Sequence, residues 1–144
     1  MTSRSLVWWV DRCFGARIVP AKLRDGGIKI RTYAELYPDD PAVPDAVWIP
    51  EVTARGWVIL TKDKEIRRNP EEIAAIRRAS ARYVCLSAKG MSGEQQADCL
   101  LGHWRTLEGV VDTRKPPLLV TVTRADVRWL DGTDWRVAKA RRAR

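Results

Sequence analysis

Gly56-Trp57-Val58-Ile59-Leu60-Thr61-Lys62-Asp63-Lys64 is an apolar run that stops abruptly on an acid, and Leu6-Val7-Trp8-Trp9-Val10-Asp11 repeats the pattern near the start of the chain. Short runs of β-branched, aliphatic and aromatic residues bounded by polar ones read as strands buried on both faces, the habit of parallel sheets. Each run delivers a carboxylate to the carboxyl end of its strand. In doubly wound α/β folds the crevice outside those ends is where ligands bind. Carboxylates that converge there bind hard cations.

Working outward, Phe14, Ile18, Val19 and Leu23 mark a helix with Pro20 in its first turn and Gly26-Gly27 as its stop. Ile28 to Thr32 alternates apolar and basic residues and reads as a half-exposed strand. Tyr33 to Pro44 carries three prolines and reads as a loop. Asp45 is placed to N-cap a helix bearing Val47, Trp48 and Val52 and closed by Gly56. Asn69-Pro70-Glu71-Glu72 has the cap, the N1 proline and the N3 acid of a further helix, which buries Ile73 and Ile76. Tyr83 to Leu86 is a strand. Ser92-Gly93-Glu94-Gln95 then opens one longer helix with Ala97, Leu100, Leu101, Trp104 and Leu107 on one face. Leu118 to Thr123 is the fifth strand, and Val127 to Leu130 is a short edge strand before a turn at Asp131-Gly132. Strands alternating with helices predict an α/β domain whose mainly parallel sheet of about five strands is covered on both faces.

Length and composition are consistent with that. A chain of 144 residues suits one domain, residues 1–130, followed by a basic tail over 131–144. Net charge is +8, and setting aside Arg136, Lys139, Arg141, Arg142 and Arg144 reduces it to +3. The body is only mildly basic, so a polyanionic partner is permitted rather than demanded. Cys13, Cys85 and Cys99 are odd in number and lack CxxC spacing, which argues for reduced thiols. Neither a membrane span nor a signal-peptide pattern is legible, so the expected location is cytoplasmic, with no membrane partner. Cys99 and His103 stand at i and i+4 on one helix, yet no further soft ligand accompanies them. Most of the seven tryptophans fall on core positions, while Trp129 and Trp135 are the ones free to meet a partner.

Asp11, Asp45 and Asp63 are predicted to lie on one edge of the sheet. Three or four acids in one cleft suffice for one or two Mg²⁺ or Mn²⁺ ions. Asp45 has a plainer reading as an N-cap, and Asp63 as the start of a turn. The strand-Asp opening, the Pro44-Asp45-x-x-Trp48 segment and the block Gly56-Trp57-Val58-Ile59-Leu60-Thr61-Lys62-Asp63-Lys64-x-Ile66-Arg67-Arg68-x-Pro70-x-Glu72 together resemble the PIN-like domains, the fold of the VapC-type toxin ribonucleases.

That resemblance implies a three-layer α/β/α sandwich, Mg²⁺- or Mn²⁺-dependent cleavage of RNA, a cognate antitoxin protein and often a homodimer. It makes Asp11, Asp45 and Asp63 the catalytic, metal-ligating acids. Family members add a Glu from a segment between the first two; Glu35 is the Glu available there, with Asp39 and Asp40 as rivals. Thr61 suits a supporting hydrogen bond to a carboxylate or phosphate. Lys62, Lys64, Arg67 and Arg68 would grip RNA phosphates, or form only a solvated face. The alternative function is a PIN-like scaffold that binds nucleic acid or a protein without cleaving.

Overall fold

In the computed structural model, which describes residues 6–15, 17–62, 70–132 and 136–141, the elements in order are β1 (Val7–Val10), a 3₁₀ turn (Arg12–Phe14), α1 (Ile18–Asp25), β2 (Lys29–Thr32), α2 (Tyr33–Leu36), α3 (Asp45–Ala54), β3 (Val58–Lys62), α4 (Pro70–Ala79), β4 (Arg82–Leu86), α5 (Gly93–Gly102), α6 (Trp104–Thr113), β5 (Leu118–Val122), β6 (Asp126–Asp131) and β7 (Arg136–Arg141). The described residues form a seven-stranded sheet in the order β2-β1-β3-β4-β5-β6-β7. The first five strands are parallel, as the buried apolar runs predict. β6 and β7 continue the sheet antiparallel and raise the count above the expected five.

Alternation along the strands builds two cores, one on each face. Trp8, Val10, Val58, Leu60, Val84 and Leu86 face α1, α5 and α6. Trp9, Ile59, Tyr83 and Cys85 face α2, α3 and α4. The adjacent pair Trp8-Trp9 therefore anchors both layers. Trp8 packs on Trp104 with ring centroids 4.5 Å apart, and Trp9 on Trp48 at 4.8 Å. Each fully buried indole removes roughly 150–250 Å² from water, worth about 4–6 kcal/mol before ordering costs. Three layers, α/β/α, follow.

Four expectations need correction. Tyr33 to Pro44 is not wholly a loop, because Thr32 and Glu35 form a reciprocal capping box that starts α2. The long helix from Gly93 is two helices, broken at His103, whose backbone leaves helical geometry and whose ring nitrogen bonds the Arg124 carbonyl at 3.2 Å. Trp129 is buried under the Arg114 guanidinium and is not free for a partner; Trp135 lies outside the described residues. Part of the basic stretch set apart as a tail, Arg136–Arg141, is strand β7, paired along its length with β6. The turn at Asp131-Gly132 stands, with Gly132 at φ 62°, a conformation that favours glycine. Among the described residues, no helix is long and apolar enough to cross a membrane.

Candidate active site at the sheet edge

The chain passes from β1 to β2 on one side and later returns to β3 on the other. Connections therefore diverge at the carboxyl ends of β1 and β3, which opens a crevice at that switch point. Asp11 stands at its rim. Its N–H donates to the Leu60 carbonyl at 3.0 Å, so β1's ladder with β3 extends one residue into the crevice and fixes where the carboxylate emerges.

Both Asp11 oxygens are held. Oδ1 accepts from the Arg12 N–H at 2.7 Å, and Oδ2 accepts from the Thr61 hydroxyl at 3.1 Å. Cys13 Sγ lies 3.4 Å from Thr61 Oγ1 and accepts from the Lys62 N–H at 3.3 Å. Because the single Thr61 proton goes to Asp11, the Cys13 thiol is the donor to Thr61. Burial pushes the Cys13 thiol up, and the Asp11 charge adds to it, which keeps the proton this chain requires. Thr61 thus donates to a carboxylate.

Asp45 is the first residue of α3, with Pro44 as the N-cap, so its carboxylate does not cap the helix. Instead Oδ1 accepts from Trp48 Nε1–H, one turn on, at 2.8 Å. Placement in the first turn suits a carboxylate, since the helix dipole is positive there. The indole N–H groups of Trp8, Trp9 and Trp104 are buried without an acceptor, whereas that of Trp48 has this one.

A further acid comes from α4. Glu72, its third residue, accepts from the Tyr83 hydroxyl at 2.6 Å. Tyr83 is buried and stacks on Trp48 with centroids 6.4 Å apart and planes 13° from parallel. Two packed rings therefore present an N–H and an O–H to two carboxylates, and the Asp45 charge acts on Glu72 in turn. Burial raises the Tyr83 phenol far above its ordinary range, and the Glu72 charge adds, so it remains a donor.

The three acids repel. Burial raises the Asp11 carboxyl, against the Arg12 N–H and Thr61 bonds that lower it, and Asp45 raises it further. Burial also raises Glu72; the Tyr83 bond opposes this, while Asp45 and Asp11 add to it. A group raised on folding contributes stability fully below its unfolded pKa, about 4.3 for Glu, and loses it as pH rises through the folded value. Glu72→Gln is therefore expected to melt close to the parent at low pH and progressively above it toward neutral pH, in chelator. Parallel melting curves of the two proteins against pH check this, and a pH-independent difference would count against it.

Of the other expected residues, some are engaged in contacts of their own and some fall outside the described residues. Glu35 is engaged at its own helix: its carboxylate accepts from the Thr32 N–H at 2.8 Å and pairs with Arg24 at 3.4 Å. Asp39 is exposed, and Asp40 Oδ1 accepts from the Ala42 N–H at 2.9 Å. Lys62 ends β3 with its ammonium 5.9 Å from the Phe14 ring. Asp63, Lys64, Arg67 and Arg68 lie outside the described residues. Glu72 is the acid that sequence reasoning passed over by reading it as a helix-capping residue. Its signal was spacing, since Ala75 and Ile76, three and four positions on, are buried and place it on the inward face.

Among the described residues, no group of three or more His, Cys, Asp or Glu side chains is arranged to hold a metal ion. The donor chemistry nevertheless fits a hard divalent cation: Asp11, Asp45 and Glu72 supply only oxygen, and their mutual repulsion is the charge such an ion offsets.

Comparison with known proteins places these features in a family. The family described as "PIN like domain" matches residues 7–88, a span holding Asp11, Asp45, Thr61, Glu72 and Tyr83. "Putative ribonuclease VapC45" of Mycobacterium tuberculosis is 37% identical over 91 residues, which cover 62% of this chain and 66% of that protein. The chain thus spans just under two thirds of that relative's length. No solved structure matches it significantly. With more than half of its residues matched, and with the α/β/α layers and acidic switch point described above, the chain belongs to the PIN-like domain family.

Proposed function

We propose that this chain is a divalent-metal-dependent endoribonuclease and the toxin of a toxin–antitoxin pair. What supports this reading is that Asp11, Asp45 and Glu72, acids from three separate elements, act on one another's charge beside the β1/β3 switch point. Asp63, two residues beyond Thr61 in sequence, is proposed as a further ligand. Mg²⁺ or Mn²⁺ bound there would lower the pKa of a coordinated water and offset charge on a phosphoryl oxygen.

The chain's own groups have distinct tasks. Thr61 aims Asp11, and Trp48 and Tyr83 aim Asp45 and Glu72, which fixes the donor set before a substrate arrives. Asp45 orients the attacking water. Lys62, with Lys64, Arg67 and Arg68, grips phosphates flanking the scissile bond. A cognate antitoxin and a homodimer are proposed as its protein partners.

Addition of Mn²⁺ at about a hundred times its Kd is expected to stabilise the protein by about 2.7 kcal/mol, a rise in Tm of about 5–10 °C for a chain of this size. The functional assay incubates the protein with total RNA, with and without chelator. Chelator-sensitive cleavage supports the nuclease. Absence of both the Tm rise and the product would leave a binding module on the same fold.

A further inference from the structure

Arg12 follows Asp11 directly, and its hydrogen bond to Oδ1 comes from its backbone N–H, while its side-chain charge acts on that carboxylate only through space. The guanidinium instead lies over the Tyr33 ring, 5.2 Å from its centroid. Tyr33 is a fixed platform. It is buried, its hydroxyl donates to the Asp40 carbonyl at 2.8 Å and accepts from the Val43 N–H at 2.9 Å, and its ring packs on Trp9 at 5.8 Å. Arg12 itself is exposed, and the ion pairs among the described residues involve Lys22, Arg24 and Arg128 instead. A guanidinium held over an aromatic ring by cation–π attraction spends no N–H on that contact, and its planar fork of N–H groups matches two phosphate oxygens at once.

Position adds the second argument. Tyr33 begins directly after β2, and β2 and β3 lie on opposite sides of β1. The acidic centre is therefore flanked by Arg12 on the β2 side and by Lys62 at the end of β3. Three carboxylates repel an incoming phosphodiester, and a cation already in place beside them helps to seat one.

We propose that Arg12, stacked on Tyr33, is a substrate-binding residue that grips an RNA phosphate on the β2 side of the acidic centre, opposite Lys62. This rests on the nuclease reading for its purpose, but the phosphate contact is testable without cleavage. Binding of a short 2′-O-methyl RNA in chelator is measured across a salt series for the parent, Arg12→Ala and Arg12→Lys. Arg12→Ala is expected to lose roughly ten- to a hundredfold in affinity, and the slope of log affinity against log salt is expected to flatten by about one. Arg12→Lys should recover the slope but only part of the affinity, because an ammonium lacks the planar fork. Mn²⁺ titrated alone should bind Arg12→Ala at least as tightly as the parent, since a positive charge has left the centre. Unchanged RNA affinity and slope in Arg12→Ala would overturn the inference, and so would equal loss of RNA and Mn²⁺ binding, which marks a damaged site. Chelator-sensitive cleavage by the parent is scored separately, so failure of the nuclease reading is distinguishable from failure of this contact.

Discussion

Asp11→Asn is expected to leave the fold intact and to reduce divalent-dependent RNA cleavage at least about a thousandfold, since the substitution removes a charge from where the reaction needs it. Asparagine has the same shape, and its carbonyl oxygen still accepts the Arg12 N–H. The amide nitrogen, however, presents donors to Thr61, whose hydroxyl now donates to Oδ2. Thr61 must then turn its proton away from residue 11, toward Cys13 Sγ, and the thiol no longer donates to it. One or two bonds reorganise at the rim while the buried strand behind them is unchanged. Loss of a raised carboxyl also removes repulsion, so without metal the variant should melt no lower than the parent at neutral pH. Glu35→Gln is the matched control: it changes an exposed carboxylate that serves a helix cap and an ion pair, and cleavage should be unaffected. Chelator-sensitive cleavage by Asp11→Asn at the parent's rate would remove Asp11 from the site.

Much of this architecture is legible in residue order, and the parts that are not share a physical cause. Buried parallel strands announce themselves as unbroken apolar runs, which is why β1, β3, β4 and β5 lie within a residue or two of their expected bounds. Capping boxes are local, and Ser92 with Gln95 forms one as read. Thr32 with Glu35 forms another that the prolines further along obscure. Which side chain faces which across the sheet is another matter. Glu72 satisfies a local helix rule and a tertiary role at once, and the local rule is the visible one. Trp48 and Tyr83 read as core because their rings are core; only the folded chain reveals that their polar tips point at carboxylates. Asp45 differs by a single position, since a helix that starts at Asp45 rather than after it frees the carboxylate from capping. Asp11, next to an apolar run, needed no tertiary information to be noticed.

Trp48 is where packing and the acidic centre become one problem, and its removal should be the most destabilising change on that face of the sheet. Trp48→Ala is expected to cost about 3–5 kcal/mol, which lowers Tm by about 10–15 °C. The indole is 1% exposed and lies between Trp9 and Tyr83, so its deletion leaves a cavity that rigid aromatic neighbours cannot collapse to fill. It also leaves Asp45 Oδ1 without its donor and Tyr83 without its stacking partner. Stability alone cannot separate these consequences, because any large core deletion produces the first. Trp48→Phe separates them: most of the ring volume remains, the Nε1–H does not, and the expected cost falls to about 1–2 kcal/mol. If Trp48 aims Asp45, the phenylalanine variant should melt only about 3–6 °C below the parent yet need several times more Mn²⁺ for the same rise in Tm. A parent-like Mn²⁺ response in Trp48→Phe would mean that the helix dipole and α3's first turn place Asp45 without the indole, and Trp48 would then be a core residue alone.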